Sequence, residues 1–177
     1  RFFIDITRQV ELEDAHEALS KELQEHVLTD PVTGLLNRRG VILALEPQVA
    51  RSRRYNSPIS VVMLDTHGGG DRNRMLVAIA RLLKDQLRWA DLVACTDRQE
   101  FVLVLPETTA EAALKLTNKL REQLQKLAAE IDPATPLWSC YGVTGWRKSD
   151  NASTLLKRAE AALTQARSEQ PGKLVAI

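Results

Sequence analysis

Cysteine is almost missing from this chain: Cys95 and Cys140 are the only two among 177 residues, each inside an apolar run and without CxxC spacing. That pattern excludes a disulfide framework or a thiolate metal knuckle and fits the buried, reduced thiols of a cytoplasmic protein. A surplus of one charge is missing as well. Twenty-four Lys and Arg stand against 23 Asp and Glu, a formal net charge of +1, so no electrostatic grip on nucleic acid is expected. No apolar run approaches the roughly 20 residues of a membrane-spanning helix, and no membrane contact is expected of this stretch. The chain opens at Arg1 without an initiator Met or a signal-peptide pattern, and reads as a piece of something longer. His67-Gly68-Gly69-Gly70 is superficially like a lipase oxyanion loop, but no G-x-S-x-G elbow accompanies it, which sets ester hydrolysis aside. What is present is ordinary for a soluble domain: 44% hydrophobic and 27% charged residues, in a length that suits one domain with an appendage.

Residues 1–7 (RFFIDIT) form a short apolar stretch. The next segment, 8–28, contains no Gly or Pro and is rich in Glu, Leu, Ala and Gln, all good helix formers. Leu12, His16, Leu19, Leu23 and His26 recur at alternating spacings of four and three, the seam of a two-stranded coiled coil weakened by its two histidines. A helix packed on its own domain is the alternative. Asp30-Pro31-Val32-Thr33-Gly34 marks a turn, and Asn37 can cap a helix over about 38–54 that Pro47 should kink or shorten. The β-branched run 59–64 predicts a buried strand with Asp65 at its carboxyl end. Three glycines at 68–70 then make a flexible connector into a helix over about 72–87. Apolar runs at 92–96 and 101–105 predict a hairpin. A helix capped by Thr109 follows to about residue 126, then a strand at 138–145, a helix at 153–168 and a last short strand at 174–177. The hairpin rules out an all-parallel sheet. The expected fold is α/β: a mixed central sheet of about five strands flanked by helices, related to the ferredoxin-like arrangement.

Several stretches together resemble the GGDEF family of bacterial diguanylate cyclases. Leu28-Thr29-Asp30-Pro31-Val32-Thr33-Gly34-Leu35-Leu36-Asn37-Arg38-Arg39 is similar to its opening motif, LTDxLTGLxNRR. The run ending at Asp65 matches the strand that carries the first metal-binding aspartate. Asp91-Leu92-Val93-Ala94 followed by Asp97-Arg98-Gln99-Glu100-Phe101 stands in the place of DLVARYGGDEF. Cys140-Tyr141-Gly142-Val143 replaces SIGV, and Ala159-Glu160-Ala161-Ala162-Leu163 resembles the late ADxAL helix. Ahead of these, the D-I-T of residues 5–7 and the Gly-free segment resemble the end of a PAS sensor and its signalling helix. The resemblance divides the chain into the tail of a PAS-like domain (1–7), a signalling or coiled-coil linker (8–28) and a degenerate GGDEF domain (29–177). It implies a nucleotidyl cyclase-type fold.

It also implies that the cyclase chemistry fails. Joining two GTP molecules needs metal ions that neutralise phosphate charge and align the attacking hydroxyl. The family holds them with the strand-end aspartate and the third motif residue. Asp65 keeps the first, whereas Gln99 replaces the second, and a neutral amide is a poor ligand for Mg²⁺. No metal cofactor is therefore expected, and Glu100 reads as scaffold. The motif glycines become Asp97 and Arg98, of which Arg98 is poorly suited to a left-handed turn, so a different turn is expected. Roughly nine residues of the guanine-reading segment after Asp65 are missing, which a short connector cannot rebuild. Arg167 stands where the family has a phosphate-binding lysine, and Pro171 where it often has arginine. No catalytic residue is assigned.

Arg88-Trp89-Ala90-Asp91 is an RxxD motif, with Asp91 six positions before Asp97, the spacing of the family's inhibitory I-site. The resemblance implies cyclic di-GMP binding by Arg88 and Asp91, commonly as an intercalated ligand dimer. Arg88 can fork onto phosphate or a guanine acceptor edge, and Asp91 can accept from guanine N–H groups. Arg72, Arg74, Arg81, Arg98 and Arg121 are candidates to complete the site. Arg51-Ser52-Arg53-Arg54 reads as a solvated helix terminus. A solvated Arg88–Asp91 pair, worth about 0–1 kcal/mol, is the competing account. The expected function is a non-catalytic cyclic di-GMP receptor relaying its state through the N-terminal helix. A homodimer through 8–28 and other signalling proteins are the expected partners. The alternatives are a ligand-free interaction or dimerisation module and, last, an active cyclase.

Overall fold

A computed structural model describes residues 27–169 and 174–177. The expected PAS-like tail and nearly all of the linker helix lie outside the described residues. The elements run α1 (Arg38–Tyr55), β1 (Ile59–Gly68), α2 (Arg72–Gln86), β2 (Leu92–Cys95), β3 (Phe101–Pro106), α3 (Ala110–Ile131), β4 (Leu137–Gly145), α4 (Ala152–Glu169) and β5 (Leu174–Ala176). The five strands form one sheet in the order β2-β3-β1-β4-β5. β2, β3, β1 and β4 are mutually antiparallel neighbours, while β5 lies parallel to β4 at the edge. This is the mixed α/β sheet that the alternation of elements implies.

Strand alternation sorts the side chains onto two helical layers. Val62 and Leu64 of β1 face Met75, Leu76 and Ile79 of α2 and Leu120 and Leu124 of α3. Val61 and Met63 face Val41 and Leu45 of α1 and Leu155, Ala159 and Ala162 of α4. Both cysteines are free and buried within these layers. Among the described residues no helix is long and apolar enough to cross a membrane.

Local chemistry explains the boundaries. Asn37 caps α1 by accepting a 2.8 Å bond from the Gly40 amide, and Thr109 caps α3 by accepting one from the Ala112 amide. Pro47 neither ends nor shortens α1, which runs through it for 18 residues. The carbonyl that Pro47 leaves unpaired belongs to Leu43, an exposed position where water can satisfy it. β1 is longer than its apolar run: it continues to Gly68, which pairs with Leu137, so Asp65 lies inside the strand rather than at its end. The glycines are not a loose connector either. All three hold positive φ and lead into Asp71, whose carboxylate caps α2. The Asp30 carboxylate accepts from the Thr33 amide and hydroxyl, which fixes the turn ahead of α1.

Candidate functional site

Two groups of sequence-predicted residues lie at opposite ends of the sheet. Asp65 lies toward the far end of β1, and β3 brings Glu100 beside it through the Leu64↔Phe101 pairing. Both side chains are buried, at 5% and 7% exposure. Arg167, in the last turn of α4, bridges them. Its Nε donates to Asp65 Oδ2 at 2.8 Å, and its Nη2 lies 3.1 Å from Glu100 Oε2. Partial burial opposes the charge on Arg167, but the Asp65 and Glu100 carboxylates outweigh it and raise the guanidinium's pKa. His67 Nε2 lies 3.0 Å from the same Asp65 oxygen.

Gln99 goes elsewhere. The β2–β3 hairpin is closed by Gln99 N–H to Thr96 O (2.9 Å) and Thr96 N–H to Glu100 O (2.8 Å). Neither Asp97 nor Arg98 takes a positive φ. Gln99 does, at 63°, so the turn is a different one from a double-glycine hairpin. The Gln99 carboxamide oxygen accepts from Arg72 Nε at 2.9 Å, and Arg72 Nη1 donates to Thr66 Oγ1 at 2.9 Å. Thr66 belongs to the α2 layer and Asp65 to the α4 layer, so Asp65 and the Gln99 carboxamide, held by Arg72 with Thr66, are bonded on different sides of the sheet. A groove of about 350 Å³ between the hairpin and α4 is lined by Arg38, Arg98, Glu160 and Arg167 among others. The residues do not fit a divalent ion. Asp65 and Glu100 are paired to Arg167, Gln99 is paired to Arg72, and no group of three His, Cys, Asp or Glu among the described residues could share one.

At the other end, the α2–β2 loop carries Arg88 and Asp91. Asp91 accepts from the Arg88 amide at 2.8 Å and from Arg88 Nη2 at 3.1 Å, and its side chain is only 3% exposed. The same Nη2 donates to Pro106 O (2.8 Å) and Thr108 Oγ1 (2.9 Å), which ties the loop to the end of β3. Arg88 itself is 58% exposed. It lines a cleft of about 580 Å³ together with Gln48, Arg51, Trp89 and Glu107. Its Nη1 has no hydrogen-bond partner among the described residues. Trp89 is 98% exposed, an unusual position for the largest apolar side chain.

None of the five arginines expected to complete the site lines this cleft; Arg51, from the segment that reads as a solvated helix terminus, does. Arg72 is held by Gln99, Arg121 stacks over Tyr141 at 5.5 Å, Arg74 and Arg81 line a groove beside α3, and Arg98 lines the groove beside Arg167. Arg53 is not merely solvated: its Nη2 donates to Asp150 O at 2.8 Å. The sequence places Arg167 where the family has a phosphate-binding lysine, but carries no signal that it bridges Asp65 and Glu100.

A five-stranded antiparallel-centred sheet between paired helices, with an acidic strand beside a hairpin turn, defines the class of nucleotidyl cyclase-type domains. The family model for the diguanylate cyclase GGDEF domain matches residues 27–173, and the chain belongs to that family. It is 31% identical over 164 residues to the diguanylate cyclase DgcP of Pseudomonas aeruginosa, an alignment covering 86% of this chain and 24% of that protein. It is similar in structure to the diguanylate cyclase SiaD of P. aeruginosa, solved in complex with its activator SiaC. That match has a TM-score of 0.74 and 27% identity, over 97% of this chain and 72% of that one. A microbial GGDEF domain solved with bis-(3′,5′)-cyclic di-GMP matches with a TM-score of 0.72 and 28% identity, over 86% of this chain and 100% of that one. The chain spans less than half the length of the curated relatives DgcP and DgcM.

Proposed function

We propose that this chain is a non-catalytic GGDEF domain of a bacterial, cytoplasmic signalling protein. It binds cyclic di-GMP through Arg88 and Asp91 and relays its ligand state to the segment that precedes Val27. The observation that carries the reading is the contrast between the two ends of the sheet. At the Asp65 end both carboxylates are consumed by Arg167, and Gln99 is consumed by Arg72. At the Arg88 end a guanidinium is anchored through Nη2, while Nη1 faces an open cleft beside an exposed indole. An arginine held in this way can fork onto a phosphate or a guanine edge with little further loss of side-chain freedom. The structural relative solved with cyclic di-GMP supports the ligand class.

Calorimetric titration with cyclic di-GMP tests this. Saturable binding is expected, weakened about 10- to 100-fold in Arg88→Ala because charge-assisted bonds contribute about 1.5–3 kcal/mol. The indole fluorescence of the wild type should also change on binding, and Trp89→Phe should remove that change. No heat with the wild type, or undiminished binding in Arg88→Ala, overturns the proposal. Conversion of GTP and Mg²⁺ to cyclic di-GMP that is lost in Asp65→Ala would establish an active cyclase instead.

One observation favours a second reading. Asp91 is buried and caps its own loop, so it must exchange an internal bond to meet a guanine. A domain that binds no nucleotide and serves as a docking or dimerisation module would keep that bond unbroken. The SiaD complex with a protein activator is consistent with such a use of the fold.

A further inference from the structure

We propose that Arg167 is a tethered counter-ion standing where a divalent cation would otherwise hold the ends of β1 and β3, so that the domain keeps this cleft intact without metal. The proposal does not rest on nucleotide binding at Arg88, and a failed nucleotide titration leaves it standing.

Two carboxylates, one within β1 and one on the residue just before β3, are buried against the same guanidinium, and their like charges call for a cation between them. The guanidinium has the right shape: its Nε edge reaches Asp65 at 2.8 Å and its Nη2 edge reaches Glu100 at 3.1 Å. An ammonium has no such planar fork. Arg167 is also the basic residue in the last turn of α4, where the helix's carbonyl ends favour a positive charge. The third group that a metal would call upon is withdrawn, because Gln99 is turned onto Arg72 and Thr66. His67 leans on the same Asp65 oxygen at 3.0 Å, at 67% exposure, and is a second cationic partner for that carboxylate only when protonated.

Thermal melts with Mn²⁺, Mg²⁺ or EDTA, together with Mn²⁺ binding followed by electron paramagnetic resonance, test the role. The wild-type melting temperature is expected to be the same in all three. A metal-dependent rise that disappears in Asp65→Asn would overturn the proposal. Arg167→Gln is expected to melt lower than wild type, to bind Mn²⁺ at least ~10-fold more tightly, and to recover part of its lost melting temperature when Mn²⁺ is added. The double variant Asp65→Asn/Arg167→Gln is expected to recover without Mn²⁺ and to ignore it. If Arg167→Gln does not fold in EDTA, its refolding in Mn²⁺ decides: folding rescued by the metal supports the role, and failure to fold in either condition overturns it. Recovery by Asp65→Asn with no Mn²⁺ response in Arg167→Gln would show an ordinary ion pair and would also overturn the proposal.

Discussion

Gln99 sits at φ 63°, in a region that costs a side chain with a Cβ about 1 kcal/mol. It is held there by two things: the hairpin hydrogen bonds and the Arg72 fork on its carboxamide. A carboxylate restored at this position would therefore meet Arg72, not a metal. Gln99→Asp is expected to yield no cyclic di-GMP from GTP and Mg²⁺ by chromatography, with a melting temperature unchanged or raised by the new ion pair. Nearby, burial, with help from the Asp30 carboxylate, pushes the Cys95 thiol from 9.0 to about 12, against smaller pulls from Arg72 and Thr33. The folded state thus holds this proton more tightly than the unfolded state does. Its contribution to stability is fully present below pH 9.0 and is lost as the pH rises toward 12. A thiol reagent is expected to leave Cys95 untouched at pH 8 without denaturant, and denaturant melts should show a loss of stability above pH 9.0 that is smaller in Cys95→Ala. That position 99 carries a neutral amide is legible in the sequence. The pairing of Asp65 with Arg167 is not, because the two are 102 positions apart and only folding brings them together.

The packing of β4 on α4 depends on Gly142. A Cβ there would lie 2.4 Å from the Leu163 amide nitrogen and 2.8 Å from the Ala159 carbonyl oxygen, both backbone atoms of α4 that cannot yield singly. Ala159, Ala162 and Ala166 line the same contact, so helix and strand approach closely along its length. Gly142→Ala is expected to destabilise the fold by about 1–3 kcal/mol through overpacking. Differential scanning calorimetry should register this as a fall of about 3–10 °C in melting temperature. At this scale most of the chain is legible in advance, because apolar periodicity is a direct imprint of the two layers. The misses share one cause. Beyond Leu64, β1 carries Asp65, Thr66 and His67, polar residues that end an apolar run but not a strand whose backbone is still paired to β4. α3 likewise passes its expected end because Leu127, Ala128 and Ile131 continue its buried face to the last turn.

Across the whole molecule, the opening motif clamps the linker to the domain. The Leu28 carbonyl accepts from the Asn37 amide at 2.8 Å, the Asn37 side chain donates to Val27 O at 2.9 Å, and Leu36 O accepts from Cys95 N–H at 2.8 Å. A displacement of Val27 and Leu28 is thereby passed to α1 and to β2, the strand that follows the Arg88–Asp91 loop. Residues 8–26 lie outside the described residues, and their sequence carries Leu12, His16, Leu19, Leu23 and His26 at the spacing expected of a coiled-coil seam. A protonated imidazole at an apolar seam position disfavours pairing, so pairing of this segment is expected to weaken as the pH falls. Sedimentation equilibrium is expected to show a dimer at pH 8 that dissociates near pH 5.5. His16→Leu with His26→Leu should tighten it at pH 8 and keep it paired at pH 5.5, because the seam then has nothing left to protonate. A monomer at both pH values in both proteins would mean that the segment packs on its own domain, and that whatever signal the clamp carries is passed within one chain.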